Sequence, residues 1–129
     1  YGMFTQGEAD MVLSYTTSPA YHIIAENDKS KSAAIFSEGH YFFTELAAMT
    51  NSSKEPKLAK EFMSFILSDT FQRMIPTGNW SFPSNLARDK LPEEFINLPM
   101  PQKVLFYTEE DAQKYRDIVI QEWLTAFQK

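Results

Sequence analysis

Only two stretches of this chain carry the pattern of a β-strand, and that shortage limits what it can build. Residues 10–15 (Asp-Met-Val-Leu-Ser-Tyr) form a short apolar run bounded by polar residues, the pattern of a buried parallel strand. Residues 41–49 are apolar and aromatic with partial alternation and read as a second strand. Two strands alone make a marginal sheet. The helical signals are firmer. Leu58, Phe62 and Ile66 recur every fourth residue with Ala59 and Met63 beside them, which predicts an amphipathic helix starting near Pro56. Ser68 is placed to cap a short helix running to Arg73. Thr108 opens a Thr-Glu-Glu-Asp start with acids in the first turn, and Tyr115, Val119, Trp123 and Phe127 follow as an apolar stripe. A terminal helix with Trp123 in the core is expected there. Residues 75–106 hold most of the prolines and read as one long irregular crossing. The alternation of strand and helix implies an α/β architecture whose other strands are expected upstream. Tyr1-Gly2-Met3-Phe4 carries neither an initiator methionine nor a signal peptide, which also reads as part of something longer.

Composition removes several function classes. The 129 residues are 43% hydrophobic and 22% charged, enough for a real core. A net charge of −5 with no basic patch makes nucleic acid and anionic membranes poor partners. No apolar run approaches the ~18 residues a membrane span needs, so direct membrane insertion is not expected. The absence of cysteine excludes disulfides, thiolate nucleophiles and cysteine zinc sites, and leaves the compartment open.

Two places attract attention as sites. In open α/β sheets ligands sit beyond the carboxyl ends of strands, and Thr16-Thr17-Ser18 stands at such an end. With Ser18 as N-cap and Pro19 in the first helical position, a helix should start there and carry residues 21–25. Three hydroxyls and the N–H groups of a helix start would form a neutral cradle for a phosphate or a polar heterocycle. An ordinary capped turn explains the same residues. Tyr15 and Tyr21 bracket this turn. The second place is residues 75–80 (Ile-Pro-Thr-Gly-Asn-Trp), a loop whose Gly-Asn turn presents Trp80 either to the core or to a ligand. Enzyme readings are weak. Ser18, His22 and Asp10 can be assembled on paper into a hydrolase, but no Gly-x-Ser-x-Gly elbow accompanies them. No phosphate-binding glycine loop and no metal-spaced His/Asp cluster is present.

These residues resemble one family in particular. Residues 7–10 (Gly-Glu-Ala-Asp), residues 14–22 (Ser-Tyr-Thr-Thr-Ser-Pro-Ala-Tyr-His), residues 36–41 (Phe-Ser-Glu-Gly-His-Tyr) and residues 75–80 look like the thiamine-binding periplasmic proteins of Gram-negative bacteria, in order and with compatible spacing. The resemblance runs to the helix of Trp123. It implies a type II periplasmic-binding-protein-like fold, two-lobed in the full protein, of which residues 1–129 would be the C-terminal portion, contributing segments to both lobes. It further implies a periplasmic, non-enzymatic role: capture of thiamine, or of its monophosphate or pyrophosphate, for the membrane permease of an ABC importer. Thiamine is then a transported ligand, and no cofactor is expected. Carried over by position, the ligand contacts are Tyr15, Thr16, Thr17, Ser18, Tyr21 and Trp80. Residues 81–90 diverge from the pattern and receive no role. Thiamine joins a flat aminopyrimidine to a cationic thiazolium, which suits aromatic faces and a few hydrogen-bonding groups. Ferric-ion capture, which related proteins perform with paired tyrosines, is the alternative within the class; a hydrolase using Ser18 or Thr17 is the alternative outside it.

Overall fold

A computed structural model describes residues 1–126 and 128. Their contacts divide into two units, Tyr1–Ile35 with Glu45–Met100, and Phe36–Thr44 with Pro101–Lys129. The first unit is helical: α1 (Gly2–Thr5), α2 (Ser18–Glu26), α3 (Pro56–Ile66), α4 (Asp69–Gln72), α5 (Ile75–Gly78), a 3-10 turn at Arg88–Lys90, and α6 (Glu93–Ile96). The second holds β1 (His40–Tyr41), β2 (Val104–Leu105) and the long helix α7 (Glu109–Ala126).

Helix α2 begins one residue earlier than its sequence promises. Thr17 is the N-cap and Ser18 already helical, with Pro19 buried in the first turn, where a missing N–H costs nothing. It ends at Asn27, whose left-handed backbone (φ 54°) suits an asparagine C-cap. Its inner face is closed by Ala20, which together with Phe95 has no exposed surface at all. Leu98 completes the buried cluster, and Trp80, Phe82 and Leu91 pack against it from the side. Phe82 meets Phe95 edge-to-face at 5.6 Å. The proline-rich stretch is therefore not structureless. Its prolines space out short helical turns, and α6 delivers Phe95 to α2.

The α3–α4 corner is fixed by polar bonds. Ser68 caps α4 as its sequence predicts, accepting from the Phe71 N–H at 3.4 Å. Gln72, buried, donates Nε2–H to the Ile66 carbonyl at 2.7 Å and accepts from the Asn85 N–H at 2.9 Å. Lys90 reaches Asp69 at 2.6 Å and links the 3-10 turn to α4. Among the described residues no buried side-chain polar atom lacks a partner.

The second unit is built on a short parallel ladder, His40 opposite Val104 and Tyr41 opposite Leu105. It is extended by the His40 N–H to Lys103 O (3.1 Å) and the Phe42 N–H to Leu105 O (2.7 Å). Gly39 makes this approach possible. Its φ is +116°, and a Cβ there would lie 2.9 Å from Leu105 Cγ. Thr108 Oγ1 accepts from the Asp111 N–H at 3.1 Å, so the expected cap of α7 forms.

Three expectations are corrected. Residues 10–15 form no strand, because no neighbouring segment of the chain offers them a ladder; Met11 and Leu13 lie exposed. The strand expected over 41–49 shrinks to His40–Tyr41, since β2 is only two residues long and the ladder ends with the Phe42 N–H on Leu105 O. Trp123 is not core: it is 51% exposed, on a helix whose described residues are none of them buried. Phe127, the last position of the predicted stripe, lies outside the described residues. The α3 stripe is also open, with Leu58 and Phe62 exposed.

Two substitutions test this packing. Phe95→Ala should lower the unfolding free energy by about 3–5 kcal/mol, the range for emptying a buried aromatic site, read from urea denaturation. Gly39→Ala should disrupt the β1–β2 ladder, since both its backbone angle and its Cβ are disfavoured. Hydrogen exchange at the His40 and Phe42 amides should then accelerate, while the amides of α2 keep their protection.

Candidate functional site

All six residues singled out from the sequence fall in the helical unit. Helix α2 carries Ser18 and Tyr21, and the turn before it carries Tyr15, Thr16 and Thr17. The turn is tightly used. The Ser18 N–H donates to Tyr15 O and the Ala20 N–H to Thr17 O, both at 3.0 Å, and Pro19 has no N–H. Hydroxyls, more than backbone donors, are therefore what this turn can offer a ligand. Thr17 is buried, Thr16 and Ser18 are half-buried, and Ser18 Oγ pairs with Ser14 Oγ at 2.7 Å. Tyr15 is 64% exposed.

Trp80 does not sit on an open loop. Residues 75–78 close into the single helical turn α5 behind Pro76, Asn79 ends it, and Trp80 follows with a left-handed backbone, φ +53°. For a large side chain that conformation costs about 1–2 kcal/mol, so its surroundings must hold it. They do: Asn79 Nδ2–H donates to Glu45 Oε2 at 2.9 Å, and the indole packs against the Ala20–Phe95–Leu98 cluster. Its other neighbour is Tyr21, edge-to-face at 5.0 Å and 84°. The structure thus brings Tyr21 and Trp80 together into an aromatic corner. Perpendicular rings of this kind offer electron-rich faces to a flat cationic heterocycle.

Behind the corner lies a network the sequence reading missed. Tyr21 Oη–H donates to Glu26 Oε1 at 3.0 Å. The other carboxylate oxygen, Oε2, lies 2.6 Å from His22 Nδ1. A carboxylate only accepts, so Nδ1 carries the proton, and in the neutral ring Nε2 accepts the Tyr1 hydroxyl, also at 2.6 Å. His22 is buried, at 1% exposure. Its hydrogen bond, followed by that of Tyr21, holds the Glu26 carboxyl below the ordinary range. Accepting from Tyr21, the same carboxylate raises the phenol and keeps it a donor. Glu26 reads in sequence as the start of a solvated loop; the available signal was its spacing, four residues past His22 and five past Tyr21. The paper hydrolase of Ser18, His22 and Asp10 does not assemble, because both nitrogens of His22 and the hydroxyl of Ser18 are engaged elsewhere.

No protein-family model matches the chain. Among solved structures it is similar to one titled "Periplasmic thiamin binding protein", with a TM-score of 0.86 and 47% identity over 100% of this chain and 40% of that one. The fold is accordingly that of a partial periplasmic binding protein. The sequence is 49% identical to the thiamine-binding periplasmic protein of Salmonella typhimurium and 48% identical to that of Escherichia coli, each over 98% of this chain and 38% of the relative. The Haemophilus influenzae protein of the same name is 40% identical over 80% of the chain. The chain is homologous to the thiamine-binding periplasmic proteins over nearly its whole length, and spans about two fifths of theirs. Among the described residues no helix is long and apolar enough to cross a membrane.

The Glu26 network has a pH signature. Because the folded pKa of Glu26 is depressed, its contribution to stability is fully present above the ordinary glutamate value of about 4.3 and is lost as pH falls through the depressed one. The stability gap between wild type and Glu26→Gln should be widest near neutrality and should close on acidification below about pH 4, measured by denaturant titration at each pH.

Proposed function

We propose that this chain is the part of a periplasmic solute-binding protein that helps capture thiamine and hand it to the membrane permease of an ABC importer. The observation that carries the reading is near-50% identity across 98% of the chain to relatives named for thiamine binding in the periplasm. The site residues proposed are Tyr15, Thr16, Thr17, Ser18, Tyr21 and Trp80. Tyr21 and Trp80 would meet the cationic ring with their faces, and the Thr16–Ser18 hydroxyls would bond its polar substituents or a phosphate. That all six lie on one compact unit supports their acting together. The relatives are named as binding proteins, and the engagement of His22 away from Ser18 agrees with a role without catalysis.

A cation over an aromatic face is worth about 2 kcal/mol or more when desolvated. Trp80→Ala in the protein that carries this chain should therefore weaken thiamine binding at least about tenfold, ~1.4 kcal/mol. Because the indole also packs on the core, its melting temperature should fall as well. Trp80→Phe should recover part of both. Isothermal titration with thiamine and a thermal melt of each variant separate the effects. Wild-type affinity in a Trp80→Ala protein that melts early would reduce Trp80 to a packing residue and remove the centre of the site.

A further inference from the structure

We infer that Glu26 is a positioning residue for the aromatic corner: through Tyr21 Oη it fixes the ring that meets Trp80, and buried His22 in turn fixes the carboxylate. The inference rests on the proposed thiamine site and assigns it a supporting residue that touches no ligand. The geometry is asymmetric in a telling way. Tyr21 is half-buried and turns about two side-chain bonds, and its ring contacts, edge-to-face with Trp80 at 5.0 Å and with His22 at 5.2 Å, are non-directional packing that leaves its tilt weakly set. The hydrogen bond at 3.0 Å to Glu26 Oε1 supplies the directional point of attachment.

Glu26 needs an anchor of its own, because it lies in the last turn of α2 with a side chain 43% exposed. An exposed glutamate samples several rotamers and would be a poor support for anything. His22, one helical turn earlier, removes that freedom. Its ring is fully enclosed, and its two nitrogens are spanned between Tyr1 Oη and Glu26 Oε2, both at 2.6 Å. The chain of bonds therefore runs from a buried, immobile imidazole to an exposed carboxylate, then to a half-buried phenol, and ends on an indole. Each step moves outward from the fixed interior toward the face offered to the ligand. Both carboxylate oxygens are committed to these two bonds. Glu26 is thus a brace for the ring, set one hydrogen bond behind the face offered to the ligand.

The test is a double-mutant cycle on Glu26→Ala and Tyr21→Phe, in the protein that carries this chain and with thiamine as ligand. Trp123→Phe in every member leaves Trp80 as the described tryptophan that reports. Each single variant should raise the thiamine Kd by roughly three- to tenfold, the value of one hydrogen bond. The double variant should be no worse than the poorer single one, because both remove the same link. The near-ultraviolet circular dichroism of Trp80, recorded without ligand in the indole bands where a phenol does not absorb, should change alike in all three. Glu26→Gln, which retains an acceptor for the phenol, should restore much of both readouts. Multiplying effects in the double variant, or an unchanged dichroism in Glu26→Ala, overturns the inference. If Glu26→Ala does not fold, Tyr21→Phe decides it: the ring is kept, and an unaltered Kd and spectrum would show that the hydroxyl positions nothing. Failure of the unsubstituted protein to bind thiamine would instead sink the functional reading, and the ligand-free dichroism would still judge the brace.

Discussion

The contact of Ala20 with Phe95 governs the helical unit. Only a small side chain at position 20 lets the α6 segment come close enough to enclose Phe95 completely, and that approach sets the level of α2 against the residues that precede α6. Trp80 leans on the same cluster. Tyr21 follows Ala20 by one residue, so its ring is carried to Trp80 by the packing that buries Ala20. The aromatic corner is thus the outer edge of the core, not an attachment to it. A residue at such an edge serves two ends, which is why stability and affinity must be measured side by side wherever it is changed.

A charge stands directly behind the corner. The protein is acidic overall, and the Glu26 carboxylate behind the paired rings accepts from Tyr21 and lies 2.6 Å from His22 Nδ1. In the proposed site the ring faces would meet the cation, with the Glu26 carboxylate one hydrogen bond behind Tyr21.

Much of the helical part was legible in the sequence. The α3 periodicity, the Ser68 cap, and the Thr108 cap with its acidic first turn are local signals, and each formed where the residues indicated. Strands were not, because a strand is a relation between two segments. The apolar run 10–15 has the composition of a strand and no ladder to join, while the two-residue β2 carries no pattern worth reading. Trp123 failed for a related reason: a stripe on a helix shows which face is apolar but not what lies opposite it. At the site, sequence chose Tyr21 and Trp80 from loop chemistry and family likeness, and the structure placed them 5.0 Å apart. It missed Tyr1 and Glu26 and read His22 only into a paper hydrolase, because a polar pair one helical turn apart looks the same in sequence as a solvated surface.

The parallel ladder also bears on how the molecule comes to be folded. His40 and Val104 are about sixty residues apart, and drawing together the ends of so long a flexible loop costs on the order of 4 kcal/mol in chain entropy. Four paired residues cannot repay that alone. The intervening segment, however, belongs almost entirely to the helical unit. Once α2 through α6 have collapsed around Phe95, most of the loop is already closed and the ladder forms at a much smaller entropic cost. Assembly then has a natural order: the helical unit bears the longer closure, Ala20 to Phe95 across about 75 residues, and the strands join last.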